Sequence, residues 1–143
     1  KSSAASDVYK RQILDYVGVK GELGKVVAGG AMMGPAVENL SYPTTKTTSG
    51  LILLSKAAAQ PAQVNPCIRC GRCVEYCPMG LEPVEVNQAY AARDVQELGK
   101  LHADYCFNCG SCTFVCPAKR PCTQMMGLAK AFYLGEIKKG GNK

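Results

Sequence analysis

The chain has no long hydrophobic run. Its longest aliphatic stretch is Leu51–Leu54, far short of the roughly 20 residues that cross a bilayer. Nor does a charged segment followed by an apolar stretch and a small-residue cleavage site open the chain, so neither a membrane span nor an export signal is read from it. Histidine occurs once, at His102, and no paired carboxylates or nucleophile with an adjacent base stands out, which leaves acid–base and covalent catalysis without candidates. A basic surface interleaved with base-reading residues is also missing. The net charge is +6, but residues 119–143 alone carry five Lys and one Arg against Glu136. The first twelve residues add Lys1, Lys10 and Arg11 against Asp7, and the rest is close to neutral. Nucleic acid is therefore not an expected partner.

What is present is cysteine: nine in 143 residues, within a composition that is 47% hydrophobic and 20% charged, as in a folded globular chain. Without an export signal, a disulfide framework is the weaker reading of so many thiols, and metal ligation the stronger. Eight of the nine fall into two copies of one pattern, Cys67-x2-Cys70-x2-Cys73-x3-Cys77-Pro78 and Cys106-x2-Cys109-x2-Cys112-x3-Cys116-Pro117. A [4Fe–4S] cube has four irons that each take one thiolate, and three sulfurs spaced by two residues wrap one side of it in a single tight loop. The fourth thiolate comes from elsewhere; in two-cluster ferredoxins the last Cys of each motif reaches the other cluster. On that rule Cys67, Cys70, Cys73 and Cys116 hold one cluster, and Cys106, Cys109, Cys112 and Cys77 the second. Structural zinc would leave the third cysteine of each run and both Cys-Pro dipeptides without a role.

Several residues beside these motifs invite a role. Gly71 and Gly110 hold the same place in both copies, where a missing side chain lets the backbone come close to a cluster. Cys122 lies outside both quartets and reads as a buried thiol packing like a small apolar residue, not as a ligand. His102 reads as a surface or packing residue. Arg69, Arg72, Lys119 and Arg120 crowd the cysteine loops, either compensating cluster charge or forming a docking face for an acidic partner.

Residues 1–12 lack periodicity and resemble a translated linker or assembly scar, so they are set aside, and the chain reads as part of something longer. Ile13–Val17 suggests the last turns of a helix, Lys25–Ala28 a strand and Gly50–Leu54 another, with glycines between them. Residues 13–55 are too few to bury much core. Gly29–Gly34 matches a phosphate loop only weakly and reads as a turn. Residues 56–66, with two prolines, form a linker, residues 67–137 the cysteine-rich domain, and residues 138–143 a basic tail. In the 28 residues between Cys77 and Cys106, Val84, Val86, Ala89, Tyr90, Val95, Leu98 and Leu101 recur at mostly helical spacing. Glu82-Pro83 makes the start of this helix. A last helix is expected over Met125–Ile137, its apolar side packing on the cluster domain and not on lipid.

With these residues in hand, a resemblance can be drawn. Cys67–Leu81 and Cys106–Pro121, followed by Gly127-Leu-Ala-Lys130, resemble the C subunit of the Rnf (Rsx) ion-translocating electron transport complex. Gly24–Gly34 and Pro43–Lys46 resemble the end of that family's soluble-ligand-binding β-grasp domain. The resemblance implies an α+β chain, a partial β-grasp segment followed by a mainly helical bacterial-type two-[4Fe–4S] ferredoxin domain. It implies electron transfer in a membrane complex that couples ferredoxin and NAD redox chemistry to Na+ or H+ transport. The protein would sit peripherally on the cytoplasmic side of the inner membrane, with the complex's other subunits, and ferredoxin, as partners. FMN and NAD(H) are expected only in an N-terminal part that this chain does not match. A cobalamin-reductase-like iron–sulfur carrier is the alternative within the same class. A non-catalytic binding module stapled by structural clusters is the alternative from another.

Overall fold

The structure, a computed structural model, describes residues 8–46 and 48–140. It divides into two units, Lys1–Pro61 and Ala62–Lys143.

In the first unit a helix, α1 (Lys10–Val17), precedes two strands, β1 (Leu23–Ala28) and β2 (Leu51–Ser55). The strands pair antiparallel with Val26 opposite Leu53, and a bulge between Leu23 and Lys25 shifts the register. Both strands were expected, and β-branched and aliphatic residues at Val26, Val27 and Ile52 account for them. The helix starts earlier than its periodicity suggested and takes in Lys10, Arg11 and Gln12. Its anchor is Lys10, which is buried and donates from Nζ to the Pro43 carbonyl at 2.7 Å and the Tyr42 carbonyl at 3.4 Å. These charge-assisted bonds keep a buried ammonium tolerable. Among the described residues of this unit only Leu14 and Val26 are buried apolar side chains, so its core is small, as its length implied. The described residues show a two-stranded sheet.

The second unit is helical: α2 (Arg72–Glu75), α3 (Pro83–Ala91), α4 (Val95–Lys100), a 3-10 turn (Ala103–Tyr105), α5 (Ser111–Phe114) and α6 (Cys122–Gly140). Pro83 opens α3 at its first turn, where a missing N–H costs nothing. The mostly helical spacing from Val84 to Leu101 reads as one helix, yet the chain breaks between α3 and α4, within the five-residue step from Tyr90 to Val95. Arg93 turns left-handed at φ 59, and Asp94 restarts the chain by accepting the Glu97 N–H at 2.9 Å. The break places the Arg93 guanidinium 4.8 Å from the Tyr90 ring and 4.9 Å from the Phe132 ring, a cation–π clamp across α3 and α6. The last helix begins at Cys122, three residues before the expected start, and runs on to Gly140.

α3 and α4 pack on α6 around Leu81, Val86, Ala89, Leu98, Ala103, Met126 and Ala129. Val86, Leu98 and Met126 are essentially fully buried, each contributing about 1.5–3 kcal/mol by removal from water. Cys77 and Cys106 pack against this cluster, so the apolar core also positions one cysteine from each motif. Among the described residues no helix is long and apolar enough to cross a membrane.

Candidate iron–sulfur centre

Each cysteine loop folds the same way. After its first cysteine the chain turns left-handed at a residue with a side chain, Arg69 at φ 52 in the first loop and Asn108 at φ 56 in the second. Such a turn costs roughly 1–2 kcal/mol in a non-glycine residue. In both loops it bends the backbone amide back onto sulfur: the Arg69 N–H donates to Cys67 Sγ and the Asn108 N–H to Cys106 Sγ, each at 3.4 Å. The same left-handed turn thus recurs at equivalent positions of both loops and serves an amide-to-sulfur bond in each. The next turn falls on Gly71 (φ 76) and Gly110 (φ 90), which lead into α2 and α5. A side chain on Gly71 would meet nothing within 4 Å. In terms of the protein's own atoms, its requirement for glycine is therefore conformational. The short helices then turn Cys73 and Cys112 inward, where both are buried.

The loops frame two cavities. Cys67, Cys70, Cys73 and Cys116 line the first, of about 220 Å³. Cys77, Cys106, Cys109 and Cys112 line the second, of about 20 Å³. Each thus gathers three cysteines of one motif and the last cysteine of the other. Among the described residues no three His, Cys, Asp or Glu side chains close in on a single metal-ion position. The thiols ring each cavity, as four irons taking one thiolate apiece require. Asn87 lines the first cavity, and its buried Oδ1 lacks a partner in the structure. Four thiols at each cavity are the donor set that an iron–sulfur cluster takes.

Burial raises the pKa of Cys73 and of Cys112, and for Cys112 the Thr123 hydroxyl partly offsets it. Cys122, at the first turn of α6, is pushed up to about 12, first by burial and then by the neighbouring thiols of Cys116, Cys112 and Cys73. It packs with Cys73 and Cys112 in a small buried cluster and borders the first cavity, a protonated thiol next to the quartet. Arg69, Arg72 and Arg120 also line the first cavity, whereas Lys119 is exposed and lines neither. His102 stacks on Tyr105 with ring centroids 5.1 Å apart and lines neither cavity.

Three residues at the second loop escaped the sequence reading. Lys130, one helix over on α6, donates from Nζ to the Cys106 carbonyl at 2.7 Å and ties the loop to the core. Thr113 and Thr123 bond to each other, and Thr123 reaches Cys112 Sγ at 3.3 Å. The signal that could have found the threonines is the repeat itself. Cys67 and Cys106 are 39 residues apart, and the same shift carries Val74 to Thr113 and Val84 to Thr123.

Residues 66–119 match the 4Fe-4S dicluster domain. The dicluster domain also carries the similarity to characterised proteins. The chain is 42% identical over 77 residues to the C subunit of the ion-translocating oxidoreductase complex of Rhodobacter capsulatus, covering 54% of this chain and 15% of that one. It is 40% identical over 78 residues to the C subunit of the Na(+)-translocating ferredoxin:NAD(+) oxidoreductase complex of Acetobacterium woodii, covering 54% and 17%. It is 42% identical over 74 residues to the proton-translocating counterpart of Clostridium ljungdahlii, covering 51% and 16%. The matched stretch thus spans 15% to 17% of these relatives' own length. Over its C-terminal part, then, the chain is similar to the C subunit of ion-translocating oxidoreductase complexes, and the resemblance drawn from the two cysteine loops holds.

Proposed function

We propose that this chain is an electron-carrying part of a membrane-bound ion-translocating complex, holding two [4Fe–4S] clusters that relay electrons between ferredoxin and NAD chemistry coupled to Na+ or H+ movement. The observation that supports it most is the pair of cavities, each lined by three cysteines of one motif and one of the other. In this reading Cys67, Cys70, Cys73 and Cys116 hold the first cluster, and Cys106, Cys109, Cys112 and Cys77 the second.

When bound, each cluster accepts and returns a single electron with its thiolate ligands in place. The protein's part is to hold and to tune. Arg69 and Asn108 aim backbone N–H groups at coordinating sulfurs, the Leu81 N–H does the same for Cys77 at 3.3 Å, and the apolar core around Leu98 and Met126 fixes the distance between the two cages. No proton needs to move at any of these residues. Residues 13–55, with their two-stranded sheet, are the closing portion of a β-grasp segment, followed by the linker of residues 56–66. The hydride chemistry that needs FMN and NAD(H) belongs to another part of the assembly. The chain sits peripherally on the cytoplasmic side of the inner membrane, against the other subunits and within reach of ferredoxin.

The test is turnover of the anaerobically reconstituted protein between a photochemically generated low-potential donor and a one-electron acceptor. Repeated reduction and re-oxidation with unchanged iron content is expected. Clusters that stay oxidised in the presence of the donor, or that lose iron at each cycle, would show that they only staple the fold.

A further inference from the structure

The two halves of the helical unit repeat with a shift of 39 residues. Cys73 corresponds to Cys112, Gly71 to Gly110, Pro83 at the start of α3 to Cys122 at the start of α6. Next to the innermost cysteine the halves differ at several positions, Arg72 against Ser111 and Pro83 against Cys122 among them, and one of the differences concerns hydroxyl donors. The first half carries Val74 and Val84, the second Thr113 and Thr123. Valine and threonine have nearly the same shape, so the exchange adds two hydroxyls and little else.

Those hydroxyls are oriented. The Thr123 backbone N–H donates to Thr113 Oγ1 at 2.8 Å, and the Thr113 hydroxyl donates to Thr123 Oγ1 at 2.8 Å. Thr123 Oγ1 has therefore accepted a bond, and its own proton is left to give. Cys112 Sγ stands 3.3 Å away. A cysteine that ligates iron is a thiolate with no proton to offer, so this contact can run one way, from the Thr123 hydroxyl to sulfur. Val84 packs at the corresponding inner position of the first half and has nothing to donate.

We propose that Thr113 and Thr123 form an oriented hydroxyl relay that donates to Cys112 and raises the reduction potential of the second cluster, setting it apart from the first. This rests on the electron-transfer reading. A donor to a coordinating sulfur favours the more negative, reduced state, and hydrogen bonds to sulfur are one of the levers by which proteins set cluster potentials. Thr123 is the donor and Thr113 its positioning residue. The competing role for the pair is local: Thr113 Oγ1 satisfies an otherwise unpaired N–H in the first turn of α6. Thr123→Val keeps that cap, because the backbone N–H remains, and deletes the bond to sulfur together with the acceptor of the Thr113 hydroxyl.

The experiment is an EPR-monitored redox titration of reconstituted Thr123→Val beside the native protein. With iron content unchanged, one of the two midpoints is expected to fall, by a tenfold change in its reduction equilibrium or about 59 mV for one electron, while the other stays. Thr123→Ser is expected to restore it. Both midpoints unmoved, both shifted equally, or a serine variant that behaves like valine would each overturn the relay. Should Thr123→Val lose iron, grafting the hydroxyls into the first half with Val74→Thr and Val84→Thr decides the matter. That variant raises the other midpoint if the relay works as described, and no rise overturns it. Native protein without two clusters would instead defeat the electron-transfer reading itself.

Discussion

Leu98 is where the apolar core and the cysteine cages meet. It is 0% exposed on α4, a six-residue helix too short to hold its shape alone. The cluster it belongs to also packs against Cys77 and Cys106 of the second cage. Leu98→Ala removes three carbons at about 0.8 kcal/mol each and leaves a cavity that the surrounding helices fill only in part, for a loss of about 3 kcal/mol. At 1.4 kcal/mol per factor of ten, that raises the population of the opened unit about a hundredfold. Capture of iron by a chelator is the irreversible step, so the readout is kinetic. Iron captured anaerobically by a colorimetric chelator follows the open population as long as reclosing outpaces capture. Iron of the second cage is therefore expected to leave about a hundredfold faster in Leu98→Ala. Leu128→Ala, on the 45% exposed side of α6, should change the rate little, since exposed truncations stay within about 0.5 kcal/mol. A Leu98→Ala protein that releases iron at the native rate would refute the view that this core holds the cages together.

Two further predictions follow from named contacts. Cys116→Ala should retain about four of about eight irons and lose the cluster of the first motif, whereas Cys77→Ala should lose that of the second; iron analysis with EPR of the remaining cluster checks it, and each variant losing its own motif's cluster would contradict crosswise ligation. Gly99→Ala puts a methyl group 2.9 Å from Tyr133 Oη, so it should lower the thermal transition by an overpacking cost of about 1–3 kcal/mol. Much of that loss should return in Gly99→Ala with Tyr133→Phe, and a double variant as unstable as the single one would rule out this clash.

How legible all this was in the sequence depends on how local the cause is. The cysteine loops, the two strands and the Pro83 helix start are set by spacing and by residues a few positions apart, and they stand where the pattern put them. The break after Ala91 was hidden because the apolar series resumes at Val95 after a step of only five residues from Tyr90; what ends α3 is the left-handed Arg93 and the Asp94 side chain on the Glu97 N–H. An Asp three residues before a Glu was the available cue. The early start of α6 at Cys122 follows Pro121, a stop-and-start signal outweighed by the apolar stripe from Met125 onward. Lys10 could not be read as buried at all, because its partners are the carbonyls of Pro43 and Tyr42, more than thirty positions away. The bond from Lys130 to the Cys106 carbonyl, 24 positions away, was equally out of reach of local pattern. The Thr113–Thr123 pair was readable in principle, by laying one half of the repeat over the other beyond the cysteines themselves.

The central claim, two [4Fe–4S] clusters held crosswise by eight cysteines, is tested most directly by iron and sulfide analysis of the reconstituted protein with low-temperature EPR after dithionite reduction. The account predicts about eight iron and eight sulfide per chain, with the broad signal of two interacting reduced clusters. Zinc in place of iron, or an unbroadened signal from a single cluster, would contradict it.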